Sequence, residues 1–166
     1  DHPDDGKISG FVRASFRPPG GQFGPPTTLA DVFYTGVYDL TVAFGPSGEA
    51  VLAWNGGTWV PRTFWDTTVL SRPPGGPFGV PREGVRAACE EPPDLAFDSA
   101  GNLFAACRQA DGQTELGPLG LIFAAAMPAG AHSFGPPAQL TLPGRNVWEP
   151  DLAAGGPGQA VAAWPR

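Results

Sequence analysis

Residues 93–108, PDLAFDSAGNLFAACR, hold two short apolar segments on either side of the turn sequence DSAGN. Apolar segments that flank a turn with glycine and asparagine predict two antiparallel strands joined as a hairpin. The pattern occurs three times, and the aligned turn glycines are Gly48, Gly101 and Gly158. Six residues beyond them stand Trp54, Cys107 and Trp164, of which we expect the two tryptophans in the core. The hairpin is therefore a repeated unit.

A second signature keeps the same spacing. RPPGGQFGPP at residues 17–26 returns as RPPGGPFGVP at residues 72–81, and a looser copy covers residues 127–137. The phenylalanines of the three copies are Phe23, Phe78 and Phe134, so the period is about 55 residues. A fixed period of this size is typical of propellers, solenoids or arrays. Each repeat is expected to contain four short strands, two from the hairpin and two around the Pro-Pro-Gly-Gly turn.

The composition supports short strands separated by tight turns. The chain has 24 glycines and 21 prolines among 166 residues, and they fall at repeating places, so they indicate turns rather than a flexible coil. Prolines interrupt almost every window in which a helix could form, and no helix is expected. The net charge is −6 with no basic stripe, which argues against nucleic acid as a partner. No apolar run is long enough to cross a bilayer, and we expect a secreted protein.

The stretch DLAFDSAGNLFAAC resembles the hairpin of NHL-type β-propeller repeats in secreted bacterial proteins. The resemblance implies an all-β propeller with three four-stranded blade equivalents per chain. Residues 1–10 are expected to be a flexible N-terminus and residues 11–166 a single repeat domain. Its parts are a half blade at 11–38, blades at 39–82 and 93–142, and a half blade at 150–166.

Three blade equivalents are too few for a closed ring, since propellers typically have about four to eight blades. We therefore expect the chain to associate with itself, as a six-bladed homodimer or head to tail as a filament. A monomeric β-trefoil or β-prism is the alternative, and a piece of a longer propeller is a third interpretation.

The two cysteines fall in one repeat. Pairing around Gly101 places Cys107 opposite a residue a few positions beyond Cys89, so a small movement would allow a disulfide. A buried free thiol in a core position is the alternative. An oxidising compartment would favour the bond.

The sequence holds no pattern of a catalytic site: no G-x-S-x-G elbow, no H-E-x-x-H and no phosphate-binding glycine loop. We therefore expect no catalysis and no cofactor. Calcium is left open because Asp94, Asp98 and Asp151 lie at hairpin ends, although the dense alternation of oxygen ligands that a calcium loop requires is missing.

Two groups of residues suit a glycan, because sugars bind to flat aromatic faces flanked by carboxylate, amide or guanidinium groups. One group lies in a single loop: Trp59, Arg62, Trp65 and Asp66. The other precedes the hairpins, where Tyr38, Glu91 and Trp148 align and Glu149 follows. Packing between blades is the competing explanation for each aromatic residue. The sequence thus favours an extracellular, lectin-like binding module, with a structural or assembly protein as the alternative.

Overall fold

The computed structural model of the chain describes residues 8–33, 37–56, 66–87, 89–114 and 117–166. In these ranges every element is a β-strand and no helix is present, so the fold is all-β as predicted. The first six strands are β1 (Ile8–Ala14), β2 (Thr27–Phe33), β3 (Tyr38–Phe44), β4 (Ala50–Gly56), β5 (Asp66–Arg72) and β6 (Arg82–Glu83). The other six are β7 (Asp94–Phe97), β8 (Leu103–Thr114), β9 (Gly117–Met127), β10 (Ala138–Gln139), β11 (Asp151–Ala154) and β12 (Ala160–Ala163).

Within the described ranges the strands form four antiparallel sheets, none of them closed, in which each strand pairs with its neighbour in sequence. Sheet A is β1-β2, sheet B is β3-β4-β5-β6, sheet C is β7-β8-β9-β10 and sheet D is β11-β12. Along the chain, the described sheets thus contain two, four, four and two strands. The first strands of sheets B, C and D lie side by side, because β7 contacts both β3 and β11.

Glycines with positive φ close equivalent turns in the repeats. In the hairpins, φ is 90° at Gly48, 83° at Gly101 and 72° at Gly158. In the Pro-Pro-Gly-Gly turns and their looser copy, φ is 71° at Gly20, 66° at Gly75 and 77° at Gly130. Side chains other than glycine resist this left-handed region, which is why glycine recurs at these places. The alignment made on the turn glycines is therefore confirmed.

The strands after the Pro-Pro-Gly-Gly turns differ from expectation. We expected the strand after the first turn to open near Phe23, but β2 begins at Thr27, and the corresponding strands β6 and β10 have two residues each. Prolines between the phenylalanines and these strands explain the delay, because proline has no N–H to donate to a ladder. At the other end, β1 begins at Ile8, three residues before the predicted start at Phe11.

The core lies between successive sheets. One cluster joins sheets B and C through small side chains such as Ala43 and Ala53 and larger ones such as Leu95 and Leu103. A second cluster joins sheets A and B, with Trp54 buried at 4% exposure as predicted. Trp164, also predicted to be core, is only partly buried, and sheet D has two strands in the part of the chain that the structure describes.

A disulfide ties sheet C to the segment that precedes it. Cys89 and Cys107 are bonded, with their Cα atoms 5.6 Å apart, so the first of the two alternatives for the cysteines is confirmed. Both side chains are buried. The bond anchors residues 89–93 along β8, where the backbone N–H of Glu90 also donates to the carbonyl of Arg108. This segment forms one wall of the cavity described next.

Candidate functional site

A cavity of about 140 Å³ opens between β3 of sheet B, the first strands of sheet C and the segment that leads into sheet D. It is lined by Thr41 of β3, by residues of β7 and β8, and by the segments that lead into β7 and β11. The full lining is Thr41, Glu91, Pro92, Pro93, Asp94, Ala106, Cys107, Arg108, Glu149 and Pro150. The repeat places these residues together because each hairpin is preceded by an equivalent segment, and the segments of sheets C and D converge.

The cation of the cavity is Arg108, which is 6% exposed. Its Nε donates to the carbonyl of Val147 at 2.8 Å, and one Nη donates to the carbonyl of Leu119 at 3.0 Å. The other Nη donates to the carboxylate of Glu90 and lies 3.9 Å from a carboxylate oxygen of Glu149. A buried guanidinium needs such partners, because an unpaired charge in the interior is strongly unfavourable. Arg108 is therefore held rigidly by groups from three segments.

Gly120 makes room for this guanidinium. A Cβ atom at residue 120 would lie 2.5 Å from Nε of Arg108 and 3.1 Å from Cγ2 of Val147. The first distance is shorter than non-bonded atoms tolerate, so any larger residue would displace the arginine. The backbone N–H of Gly120 donates to the carbonyl of Arg145 at 2.9 Å, which ties β9 to the segment before sheet D.

Asp94 supplies a fixed carboxylate at the start of β7. One oxygen accepts the backbone N–H of Leu95 at 2.9 Å, and the other accepts the N–H of Leu152 at 2.7 Å, so Asp94 links the first strands of sheets C and D. The remaining walls include three prolines, which offer no N–H donors. Carboxylates and carbonyls thus dominate the polar surface, with one guanidinium among them.

The structure brings some of the predicted binding residues together. Glu91 and Glu149 line the same cavity, although they lie in different repeats. Trp148, next to Glu149 in the chain, is 47% exposed, and its backbone N–H donates to the carbonyl of Pro165 at 3.2 Å. Tyr38 and Asp66 are the first residues of β3 and β5, and only their backbone is described. Trp59, Arg62 and Trp65 lie outside the described residues.

Sequence reasoning missed Arg108. A signal was present, because Arg108 occupies the position seven residues after the turn glycine, where sheet B carries Asn55. A polar side chain that directly follows a core residue in both repeats indicates a buried polar group with hydrogen-bond partners.

Asp98, one of the aspartates considered for calcium, serves the hairpin turn. One oxygen accepts the backbone N–H groups of Ala100 and Asn102, each at 2.9 Å. The other accepts Nδ2 of Asn102 at 2.7 Å and the N–H of Gly158 in sheet D at 2.6 Å. Burial alone would raise the pKa of Asp98, but these hydrogen bonds outweigh it and lower the pKa from 3.8 to about 2. Its carboxylate therefore joins the turns of sheets C and D.

Among the described residues, no cluster of three or more histidine, cysteine, aspartate or glutamate side chains has a geometry that could hold a metal ion. The cavity lining likewise contains no hydroxyl or thiol nucleophile beside a histidine, and Cys107 is bonded to Cys89. The polar groups that are present accept hydrogen bonds and pair with one cation. Their chemistry suits the binding of hydroxyl or amine groups.

In the part of the chain that the structure describes, no helix is long and apolar enough to cross a membrane. Comparison with protein-family models, curated proteins and solved structures finds no match for this chain.

Proposed function

We propose that this chain is a non-catalytic, extracellular binding module of propeller type that holds one ring of a carbohydrate in the cavity between sheets B, C and D. The observation that carries the proposal is that three acidic residues, Glu91, Asp94 and Glu149, line one small cavity together with buried Arg108. Carboxylates accept hydrogen bonds from sugar hydroxyls, and a guanidinium donates to ring and hydroxyl oxygens.

The size of the cavity favours a single ring. Small-molecule sites commonly have volumes of about 300 to 1,000 Å³, whereas a cavity of about 150 Å³ admits one benzene ring. The present cavity, at about 140 Å³, therefore suits a terminal sugar of a larger glycan rather than a whole oligosaccharide. Exposed Trp148, adjacent in sequence to Glu149, is an aromatic candidate for stacking beside the cavity.

The propeller assignment and the extracellular location are supported by two further features. Two four-stranded antiparallel sheets, flanked by a pair of strands on each side, repeat at the period of a propeller blade. The buried disulfide between Cys89 and Cys107 agrees with an oxidising compartment, where such bonds persist.

Glycan binding is tested with an array of immobilised glycans, followed by titration calorimetry of the best ligand. The variants Glu91→Gln and Glu149→Gln should each weaken binding about tenfold or more, because a hydrogen bond to a charged group contributes about 1.5–3 kcal/mol. Trp148→Ala, Trp59→Ala and Trp65→Ala test the predicted aromatic contacts.

Glu83→Gln is the matched control. Glu83 of β6 is exposed, pairs with Arg86 and does not line the cavity. Its affinity should equal that of the unmodified chain. A uniformly negative array, or equal binding by the cavity variants and the control, would contradict a carbohydrate site in this cavity.

A structural or assembly role is the second candidate. It is favoured by large apolar side chains that stay exposed on the first strand of sheet B, among them Val42 and Phe44 at 55% and 58% exposure. Loss of assembly without any ligand phenotype would favour this role over glycan binding.

A further inference from the structure

In the described part of the chain, two strands have an unpaired edge, and they occupy successive places in the repeat. In sheets B and C the second strand pairs with a third, β4 with β5 and β8 with β9. Among the described residues, β12 pairs only with β11, and β1 pairs only with β2. By the alignment of the turns, β12 corresponds to the second strand of a sheet and β1 to the third. Exposed edges of this kind are templates for pairing with another strand.

Exposed apolar faces lie on sheet B, which packs against sheet A, and on sheet D. On β3, alternate residues Leu40, Val42 and Phe44 are 42%, 55% and 58% exposed, whereas Ala43 on the opposite face is buried against sheet C. On sheet D, Val161 is 68% exposed, and Ala153 and Ala163 on the same face are also exposed. Contiguous apolar groups at the surface of a sheet commonly mark an interaction site.

The side chains on the two exposed faces differ in size in the same way as those that meet at the interface between sheets B and C. Between sheets B and C, small Ala43 of one first strand meets the larger Leu95 and Phe97 of the next. The exposed face of sheet D presents small residues, Ala153 and Ala163 with Val161. The exposed face of β3 presents the larger ones. A joint between them would continue the interfaces already formed inside the chain.

We propose that β12 of one copy of this chain pairs with β1 of a second copy, so that sheet D and the second copy's sheet A form one four-stranded sheet. The sheet would have the order β11-β12-β1-β2, the same succession as in sheets B and C. The interaction is separate from the cavity and does not depend on a ligand there.

The internal ladders determine the register of this pairing. Ala53 of β4 lies opposite Val69 of β5, and Ala106 of β8 lies opposite Ala124 of β9. The aligned positions in β12 and β1 are Ala163 and Ala14. A shift by one residue would turn every side chain of β12 to the opposite face relative to β1, which makes this register distinct from its neighbours.

Asp151 adds a polar contact to the joint. Asp94, its counterpart in sheet C, accepts the backbone N–H of Leu152 in the neighbouring first strand at 2.7 Å. The residue aligned with Leu152 in sheet B is Val42. In the assembled joint, the exposed carboxylate of Asp151 is thus placed to accept the N–H of Val42 in the second copy.

A pair of introduced cysteines tests the register. The double variant Ala163→Cys, Ala14→Cys, oxidised with oxidised glutathione, should give bands at multiples of the 17.2 kDa chain on a non-reducing gel, and these should collapse on reduction. Ala163→Cys with Arg13→Cys is the control, because residue 13 faces the opposite side of β1, and it should give at least tenfold less cross-linked product. No cross-link, equal cross-linking in both pairs, or a cross-link within a single copy would overturn the proposal.

Light scattering on a size-exclusion column provides the second test. The unmodified chain at about 100 µM should have at least twice the mass of one chain, and Val42→Asp should return it to 17.2 kDa because a carboxylate would be buried in the apolar joint. Val80→Asp, at a valine 68% exposed just before β6, should leave the mass unchanged. A monomeric unmodified chain, or an assembly that Val42→Asp does not disturb, would overturn the proposal.

Discussion

Sheets B and C have the same strand order and the same turn conformation, but they fill one pair of repeat positions with different chemistry. Sheet B has Trp54 and Asn55, and sheet C has Cys107 and Arg108. Trp54 packs in an apolar cluster against sheet A, whereas Cys107 is bonded to Cys89. The repeat therefore requires buried volume at the first position, and an aromatic ring or a disulfide can supply it.

The second position is polar in both sheets, and in both it reaches the segment before the next hairpin. Nδ2 of Asn55 donates to the carbonyl of Cys89 at 2.9 Å, and Oγ1 of Thr67 donates to Oδ1 of Asn55 at 3.1 Å. Arg108 makes the corresponding bridge to Val147, but its charge also gathers Glu90 and Glu149. The bridging residue is thus the neutral Asn55 in sheet B, whereas in sheet C it is the charged Arg108, which also lines the cavity.

The largest difference should appear on truncation of these two bridging residues. Arg108→Ala removes the cation that pairs with Glu90 and leaves two carbonyls without their donor, and it should lower the free energy of unfolding by about 3 kcal/mol. This is the low end of the range for a broken buried ion pair, because Glu90 is 35% exposed. Asn55→Ala loses neutral hydrogen bonds and should cost about 1–2 kcal/mol. Urea denaturation measures both values, and equal losses would contradict a special role for the charge.

The disulfide distinguishes sheet C in a second way. Replacing both Cys89 and Cys107 by alanine should lower the free energy of unfolding by about 3 kcal/mol, since the bond closes a loop with a sequence separation of 18. The double variant is measured by urea denaturation beside the unmodified chain. Because both sulfurs are buried, a reductant should open the bond slowly in native buffer and rapidly in denaturant. Equal reduction rates in the two solutions would show that the bond is accessible in the folded chain.

The hairpin turns provide the smallest contrast, and it depends on pH. Sheet C has Asp98 where sheet B has Gly45, and the folded pKa of Asp98 is about 2 against an ordinary 3.8. Because the folded pKa is the lower one, Asp98 contributes its full stabilisation above about pH 4. That contribution is lost as the pH falls from about 4 through 2.

Asp98→Asn should therefore be less stable than the unmodified chain at pH 6, and the two curves should converge toward pH 2. Thermal unfolding monitored by circular dichroism across this range measures the difference. Glu49→Gln is a suitable control, because Glu49 likewise accepts a backbone N–H, that of Ser47, in the turn of sheet B. A stability difference between Asp98→Asn and the unmodified chain that stays constant from pH 6 to 2 would contradict this assignment.

Much of the fold could be predicted from the repeat alone. Glycines at Gly48, Gly101 and Gly158 are needed because the turns require positive φ, and this demand is local and visible in the sequence. The short strands β6 and β10 were harder to place, because prolines shift the start of each ladder without marking where pairing resumes. The candidate site was predicted in part: Glu91 and Glu149 were found, but Arg108 was not.

The sequence by itself determined the all-β class and the positions of the glycine turns, because turn residues and alternation act over a few positions. Only the tertiary structure decided that Glu91 and Glu149 of different repeats face one cavity, that Arg108 pairs with Glu90, and that Cys89 bonds Cys107. These contacts depend on how successive sheets stack. The stacking is set by side chains more than ten residues apart, which no local pattern records.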